Sequence, residues 1–310
     1  MIRKVIKESQ DFYDLNIESY KPISSKAYKG KCENGNEYFI KTTELYTQEK
    51  FKFLYNQGIN NILYPIKNRM GDFITRSDDN FYVTPFINDF YMVDEIKAVN
   101  LSNELNHLHT HTFFKRQLTP LSSRRKMDDI FEYLQYKFSL LEVFVRSIEV
   151  REFDEFSIPI LKNYHYILDA KKIMAKLQRK IISAIKEKRS VNYSFIHNNP
   201  KLDHLLTANG SQYLISIEKA KIGVPSLDMA KFYIESEDLN IDVHAIVMNY
   251  FSKFDDEFYY DYFCFLVLLY YIKGIIIIDK DYVSSQNFIY ASDVIKKFIE
   301  TFNLSDENKT

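Results

Sequence analysis

Hydrophobic and polar positions change their period once along this chain. Over roughly the first 87 residues short apolar runs of strand length alternate with turn residues. Runs at 20–24, 27–32 and 37–42 predict three strands, with Asn34-Gly35 turning the second into the third. Further runs at 62–66, 73–76 and 81–84 predict three more, separated by Gly71-Asp72 and Asp78-Asp79-Asn80. A short helix is expected within 1–19. Another is expected over 47–57, capped by Thr47, stopped by Gly58, and carrying Phe51, Leu54 and Tyr55 on one face. From Met92 onward the helical period takes over. Val99, Leu101, Leu105 and Leu108 predict a helix ending near Thr112. Stripes such as Met127, Ile130, Leu134, Phe138 and Leu141, and then Ile173, Leu177, Ile181 and Ile185, predict long helices over 122–150 and 158–189. Helices are expected again over 241–254, 256–278 and 284–302, followed by a polar tail over 303–310.

Between the long helices and the last group lies a stretch of a different kind, 195–233. Phe195-Ile196 leads into His197 and a polar loop. Leu205-Leu206-Thr207 reads as a strand, Ala208-Asn209-Gly210-Ser211 as a turn, and Tyr213-Leu214-Ile215 as the return strand. Ser216-Ile217-Glu218 and an acidic loop follow.

Composition narrows the function classes. The chain has 310 residues, 46% hydrophobic and 27% charged, which suffices for substantial cores. A net charge of −1 gives no electrostatic case for nucleic acid or an acidic membrane. Two cysteines, Cys32 and Cys264, form neither a disulfide framework nor a zinc motif and fit a reducing, cytoplasmic setting. Seven dispersed glycines exclude a glycine-rich phosphate-cradling loop. The apolar run 262–272 is too short to span a membrane, which needs about 20 residues, and reads as a buried helix. His107, His109 and His111 alternate, and on a helix such residues diverge rather than converge on a metal. The basic run from Lys171 to Arg189 is most simply a solvated helix face, with a basic docking surface as the lesser alternative.

The layout of 195–233 is that of a kinase catalytic loop and the metal-binding strand after it. The chain resembles the aminoglycoside phosphotransferase and choline kinase group of the protein-kinase-like fold, and within it the spore-coat kinase-like proteins of Gram-positive bacteria. The family loop reads H-G-D-x-x-x-x-N, then a hairpin, then I-D-x-D/E. His197 matches the histidine, Glu218 the second acidic position, and Asp228-Met229-Ala230 the D-[LM]-A triplet. Asn199 stands at the catalytic aspartate, His204 at the metal-binding asparagine and Ser216 at the metal-binding aspartate. The resemblance implies an α+β fold of two lobes. The first, 1–87, is a small antiparallel sheet with one helix; the second, 88–310, is mostly helical. It also implies that Lys41 contacts nucleotide phosphates and pairs with Glu49, with Glu44 as a competing partner. Thr84-Pro85-Phe86-Ile87 falls at the family's hinge, where Pro85 lacks an amide donor. Ser24-Ser25-Lys26 falls at the first hairpin, a polar turn whose backbone could also hold an anion.

The altered positions weigh against magnesium and ATP as working cofactors. An asparagine can hydrogen-bond an acceptor hydroxyl but is no carboxylate base. Serine is neutral, and imidazole nitrogen suits zinc or copper better than magnesium. Three readings follow. The first is a pseudokinase, a non-catalytic scaffold with protein partners, associated with a spore coat on the subfamily resemblance. The second is an ATP-dependent phosphotransferase acting on a small hydroxylated molecule, rescued by Asp203 or Glu218. The third is a binding protein holding a small molecule in the interlobe cleft through Asn199 and His204.

Overall fold

The computed structural model describes residues 2–118, 120–278 and 281–305. The polar tail expected over 303–310 lies outside the described residues from 306 onward. The chain divides into two compact units. The first is made of 1–113, 194–223 and 238–241, the second of 114–193, 224–237 and 242–310.

The first unit opens with helix α1 (Ile2–Tyr13) and continues into strands β1 (Ile17–Pro22), β2 (Ala27–Cys32) and β3 (Glu37–Thr42). Helix α2 (Thr47–Asn56) and strand β4 (Phe81–Pro85) follow. The four strands form one antiparallel sheet in the order β1-β2-β3-β4. Register pairs Ile40 with Val83 and Lys41 with Tyr82 across β3 and β4. Successive side chains of a strand point to opposite faces, so each strand serves two purposes. Ile40, Phe81 and Val83 go into a core shared with Val5, Ile17 and Tyr28. Phe39, Lys41, Tyr82 and Thr84 take the other face and line a cavity. The first unit also holds helix α3 (Asp94–His111) and the return segment from the chain's second half.

Several expected elements come out differently. The first strand begins at Ile17, earlier than expected, because that side chain is buried in the core and anchors the pairing with Cys32. The runs 62–66 and 73–76 are not strands. Each contributes one isolated bridge, Ile62 to Leu214 and Thr75 to Phe81. Pro65 carries no amide hydrogen for a ladder, although Ile66 N still donates to Val83 O at 2.8 Å. Thr47 does not cap α2. Tyr46 occupies the cap position without a side-chain bond, and the Thr47 hydroxyl meets the Thr43 hydroxyl at 2.9 Å instead. Gly58 does end that helix, in the left-handed conformation at φ +70°.

The second unit holds strand β5 (Phe114–Gln117) and the long helices α4 (Pro120–Val150) and α5 (Ser157–Lys188). Strand β6 (Ser190–Ile196) starts in this unit, where it pairs with β5 over residues 190–193. In the first unit, residues 194–196 of β6 pair with β9 (Lys221–Gly223), and β7 (Leu205–Ala208) pairs with β8 (Ser211–Leu214). The second unit ends with helices α6 (Ser226–Glu235), α7 (Val243–Phe251), α8 (Phe258–Gly274) and α9 (Asp281–Thr301). The end of the 195–233 stretch, read as an acidic loop, enters helix α6, whose Asp228, Met229 and Phe232 are fully buried. The apolar run 262–272 lies within α8, with Phe263, Cys264, Val267 and Leu268 buried. Among the described residues no helix is long and apolar enough to cross a membrane. The basic residues of α5 are exposed while Ile173, Leu177, Ile181 and Ile185 are buried, as a solvated helix face requires.

Ile40 is fully buried at the centre of the sheet's core face. Ile40→Ala is expected to lower stability by about 2–5 kcal/mol, read from urea unfolding followed by circular dichroism. Lys172→Ala, on the exposed face of α5, should stay within about 0.5 kcal/mol of the wild type.

Candidate functional site

All the residues of the candidate site belong to the first unit. Two adjoining cavities share Lys41 and Ser216 in their walls. One, of about 410 Å³, is walled mainly by apolar groups, including Ile23, Phe39, Leu63, Leu206, Ile215 and Ile217. Thr84 to Asp89, the end of β4 and the segment after it, also line it. The other, of about 540 Å³, is polar and includes Lys26, Lys41, Asn199, His204 and Glu218.

Lys41 and Glu218 form the junction. Lys41 Nζ lies 2.8 Å from Glu218 Oε1, with both side chains about a fifth exposed at 20% and 19%. The Tyr82 hydroxyl donates to the same oxygen at 2.6 Å. Tyr82 reaches it because it sits directly opposite Lys41 in the β3–β4 register, on the same face of the sheet. Lys50 of α2 donates to the main-chain carbonyl of Glu218. Lys41 therefore takes Glu218 as its partner rather than Glu49 or Glu44, both of which are exposed. Glu49 was expected across the small sheet from Lys41 and is not brought to it.

The segment carrying Glu218 turns sharply. Ser216 adopts the left-handed conformation at φ +62°, which is uncommon for a residue other than glycine. Ile217–Lys219 then makes a single 3-10 turn, closed by Ala220 N donating to Ile217 O at 2.9 Å. Ile217 is buried and pins the turn. Ser216 Oγ is left 3.5 Å from Lys41 Nζ, a long contact at best.

His197, fully buried, has Nε2 at 2.7 Å from Ile215 O and Nδ1 at 3.3 Å from Asn199 N. A carbonyl only accepts and an amide only donates, so His197 carries its proton on Nε2 and accepts on Nδ1. That makes it a brace between the loop and Ile215, the residue that follows β8. His204 Nδ1 lies 2.7 Å from Asn199 O and must donate there. The Asn199 side-chain nitrogen, 3.4 Å from that same atom, then finds no lone pair on it. Nε2 of His204 is the ring nitrogen left to meet a ligand. Its nearest carboxylate, Asp203 Oδ1, is 3.9 Å away on a side chain that is 78% exposed.

Burial works against ionised Glu218, but the charge of Lys41 and the hydrogen bonds from Lys41 and Tyr82 outweigh it and hold its carboxyl below the ordinary value of 4.5. The Tyr82 phenol is pushed well above its ordinary value by burial and by the adjacent carboxylate. Burial lowers the Lys50 ammonium, with Glu218 opposing.

As magnesium ligands these donors fit badly. Among the described residues no three His, Cys, Asp or Glu side chains gather as a metal would require. Ser216 and Asn199 are neutral, His204 offers nitrogen, and Glu218 is engaged by Lys41 and Tyr82. The structure thus brings Lys41, Ser216, Glu218, Asn199 and His204 to one place and leaves out Glu49. Tyr82 and Lys50 were not foreseen. Only the cross-strand register, which the sequence does not display, reveals Tyr82.

No protein-family model matches the sequence, and no curated protein sequence matches it. Solved structures do resemble the fold. An aminoglycoside phosphotransferase from Alicyclobacillus acidocaldarius aligns over 97% of this chain and 94% of its own, at 14% identity and a TM-score of 0.64. A spectinomycin phosphotransferase in complex with ADP and spectinomycin aligns over 97% of this chain and 98% of its own, at 16% identity and a TM-score of 0.50. An amicoumacin kinase in complex with AMP-PNP and calcium aligns over 94% and 93%, at 10% identity and a TM-score of 0.52.

Because the Glu218 carboxyl is held below its ordinary value, its contribution to stability is full above pH about 4.5 and is lost as pH falls through the lowered value of the folded state. Urea unfolding at pH steps between about 6 and 3 should show wild type losing more stability than Glu218→Gln. Parallel pH profiles would show that Lys41 and Tyr82 do not stabilise the ionised form.

Proposed function

We propose that this chain, which has the fold of the aminoglycoside phosphotransferases, is a pseudokinase: a protein that keeps the kinase frame as a binding or scaffold element and does not carry out efficient magnesium-dependent phosphoryl transfer. The observation that carries the reading is the engagement of Glu218 by Lys41 and Tyr82, beside neutral Asn199 and Ser216. Phosphoryl transfer depends on placing the acceptor and neutralising charge with hard cations. The lysine that would meet phosphate is already neutralised from within. The position for a catalytic base holds a carboxamide, and the Asp203 carboxyl is turned out to solvent. His197, a brace held by main-chain groups, remains as architecture. Retention as a coat or scaffold component follows from the likeness of the loop to the spore-coat kinase-like proteins.

The competing reading, an active phosphotransferase toward a small hydroxylated molecule, draws on the enzymes that share the fold and requires Asp203 or Glu218 to supply the missing acid. The two separate in an assay of ATP hydrolysis and of phosphate transfer to a panel of hydroxylated small molecules, with magnesium and with manganese. Wild type, Lys41→Ala and Asp203→Ala are all expected at background. Turnover by the wild type that either substitution abolishes would overturn the pseudokinase reading.

A further inference from the structure

The three alternating histidines of α3 do not behave alike. Residues two apart on a helix lie about 200° apart around its axis, and residues four apart only about 40°. His109 is accordingly sent inward and is fully buried. His107, half-buried, and His111, exposed, share another side of the last turns, with ring centroids 4.0 Å apart and planes inclined at 31°. The helical period rules out three converging imidazoles, but it brings two together.

Each ring has one nitrogen tied or closed off. His111 Nδ1 lies 2.9 Å from the His107 carbonyl oxygen. A carbonyl only accepts, so Nδ1 carries the proton and Nε2 keeps its lone pair. A metal-ligating histidine is oriented in the same manner, its second nitrogen donating to a main-chain oxygen. His107 Nδ1 is buried and finds no hydrogen-bond partner among the described residues. Nε2 is then the nitrogen that this ring can offer. A buried nitrogen left unmatched costs stability, and a ligand on the other end of the ring gives it a use that packing does not.

The surroundings favour a cation. Helix α3 ends at His111, and the carbonyl end of a helix carries partial negative charge. Glu104 lies one turn before His107 on the same side, with Oε2 accepting from Asn61 Nδ2 at 2.7 Å. Burial lowers the His107 imidazolium, the charge of His111 adds to this and Glu104 opposes it, which leaves that ring neutral at pH 7, as a metal ligand has to be.

We infer that His107 and His111 form a two-imidazole site for a late first-row divalent cation, copper(II) foremost and then nickel or zinc, with water completing the coordination. Imidazole nitrogen suits these ions, and copper(II) leads them in affinity for such donors. Magnesium and calcium take oxygen ligands and are excluded. A cation held by both rings would staple the last turns of α3, just before the chain leaves the first unit at residue 113. The site is independent of the pseudokinase reading and of the junction between Lys41 and Glu218.

Calorimetric titration of the full chain, without an affinity tag, with copper(II), nickel, zinc and magnesium chlorides tests this. One equivalent of copper(II) is expected to bind ten-fold or more tightly than zinc, and magnesium not at all at the same concentrations. His107→Ala and His111→Ala should each weaken copper(II) ten-fold or more. The exchange Thr110→His with His111→Thr keeps the number of imidazoles but breaks their alignment, and should weaken binding as much. His165→Ala, on the exposed face of α5, should stay within about two-fold of the wild type. Circular dichroism checks the fold of each variant. Because His107 is half-buried, the two variants at exposed His111 decide the matter if His107→Ala does not fold. Copper(II) affinity unchanged in His111→Ala or in the exchanged pair would overturn the inference. So would loss of binding in His165→Ala, or no binding of any of the three transition metals at millimolar concentration.

Discussion

A carboxylate taken out of bulk water has to be met by positive charge or by donors, and Glu218 has both. The ammonium of Lys41 and the hydroxyl of Tyr82 converge on one oxygen, and the ammonium of Lys50 holds the carbonyl behind it. The surrounding geometry answers to this demand. The β3–β4 register sets Lys41 and Tyr82 side by side. The left-handed turn at Ser216 brings the short 3-10 turn into place, and Ile217 is buried so that Glu218 cannot swing away. The same constraint that makes the pair stable makes it a poor place for another anion.

The sheet shows how one alternation serves two ends. A strand offers its even positions to one side and its odd positions to the other. In β3 and β4 one set builds the core of the first unit, and the other set lines a cavity containing a lysine and a tyrosine. A shift of one residue in β3 would bury Lys41 in the core and expose Ile40 to the cavity, and a shift in β4 would do the same to Tyr82 and Val83. The position of the site is therefore coupled to the stability of the sheet, through the same hydrogen-bonded pairs.

Much of the fold could be read from the chain before any coordinates. The two long helices declared themselves because an apolar stripe repeated over some thirty residues has no other reading. Asn34-Gly35 and Asn209-Gly210 marked their hairpins for a local reason, the tolerance of positive φ. Elements set by distant partners were harder to see. The runs 62–66 and 73–76 have strand composition but obtain only single bridges. Strand β5 is exposed throughout, and α6 fell where the 195–233 stretch was read as an acidic loop. In the site, Asn199, His204, Ser216 and Glu218 were singled out by the likeness of their loop to the family motif, and Lys41 by the matching position at the end of an apolar strand run. Their pairing was not legible. Glu49 was expected on Lys41 from the resemblance, with Glu44 as the competitor, whereas Glu218 takes the lysine through a chain return that no local pattern encodes.

The division of the first unit between 1–113 and 194–223 carries a consequence for how the protein is made. A ribosome delivers the sheet with Lys41 early and Glu218 only after the whole of 114–193 has emerged. At roughly 5–20 residues per second the 133 residues between the end of the sheet at Pro85 and Glu218 take on the order of 7–27 s. Throughout that interval the nascent sheet holds a lysine and a tyrosine facing an unfilled gap. Completion of the unit is thus a late event of translation, and a polypeptide released before residue 218 would lack the counter-charge around which the finished site is arranged.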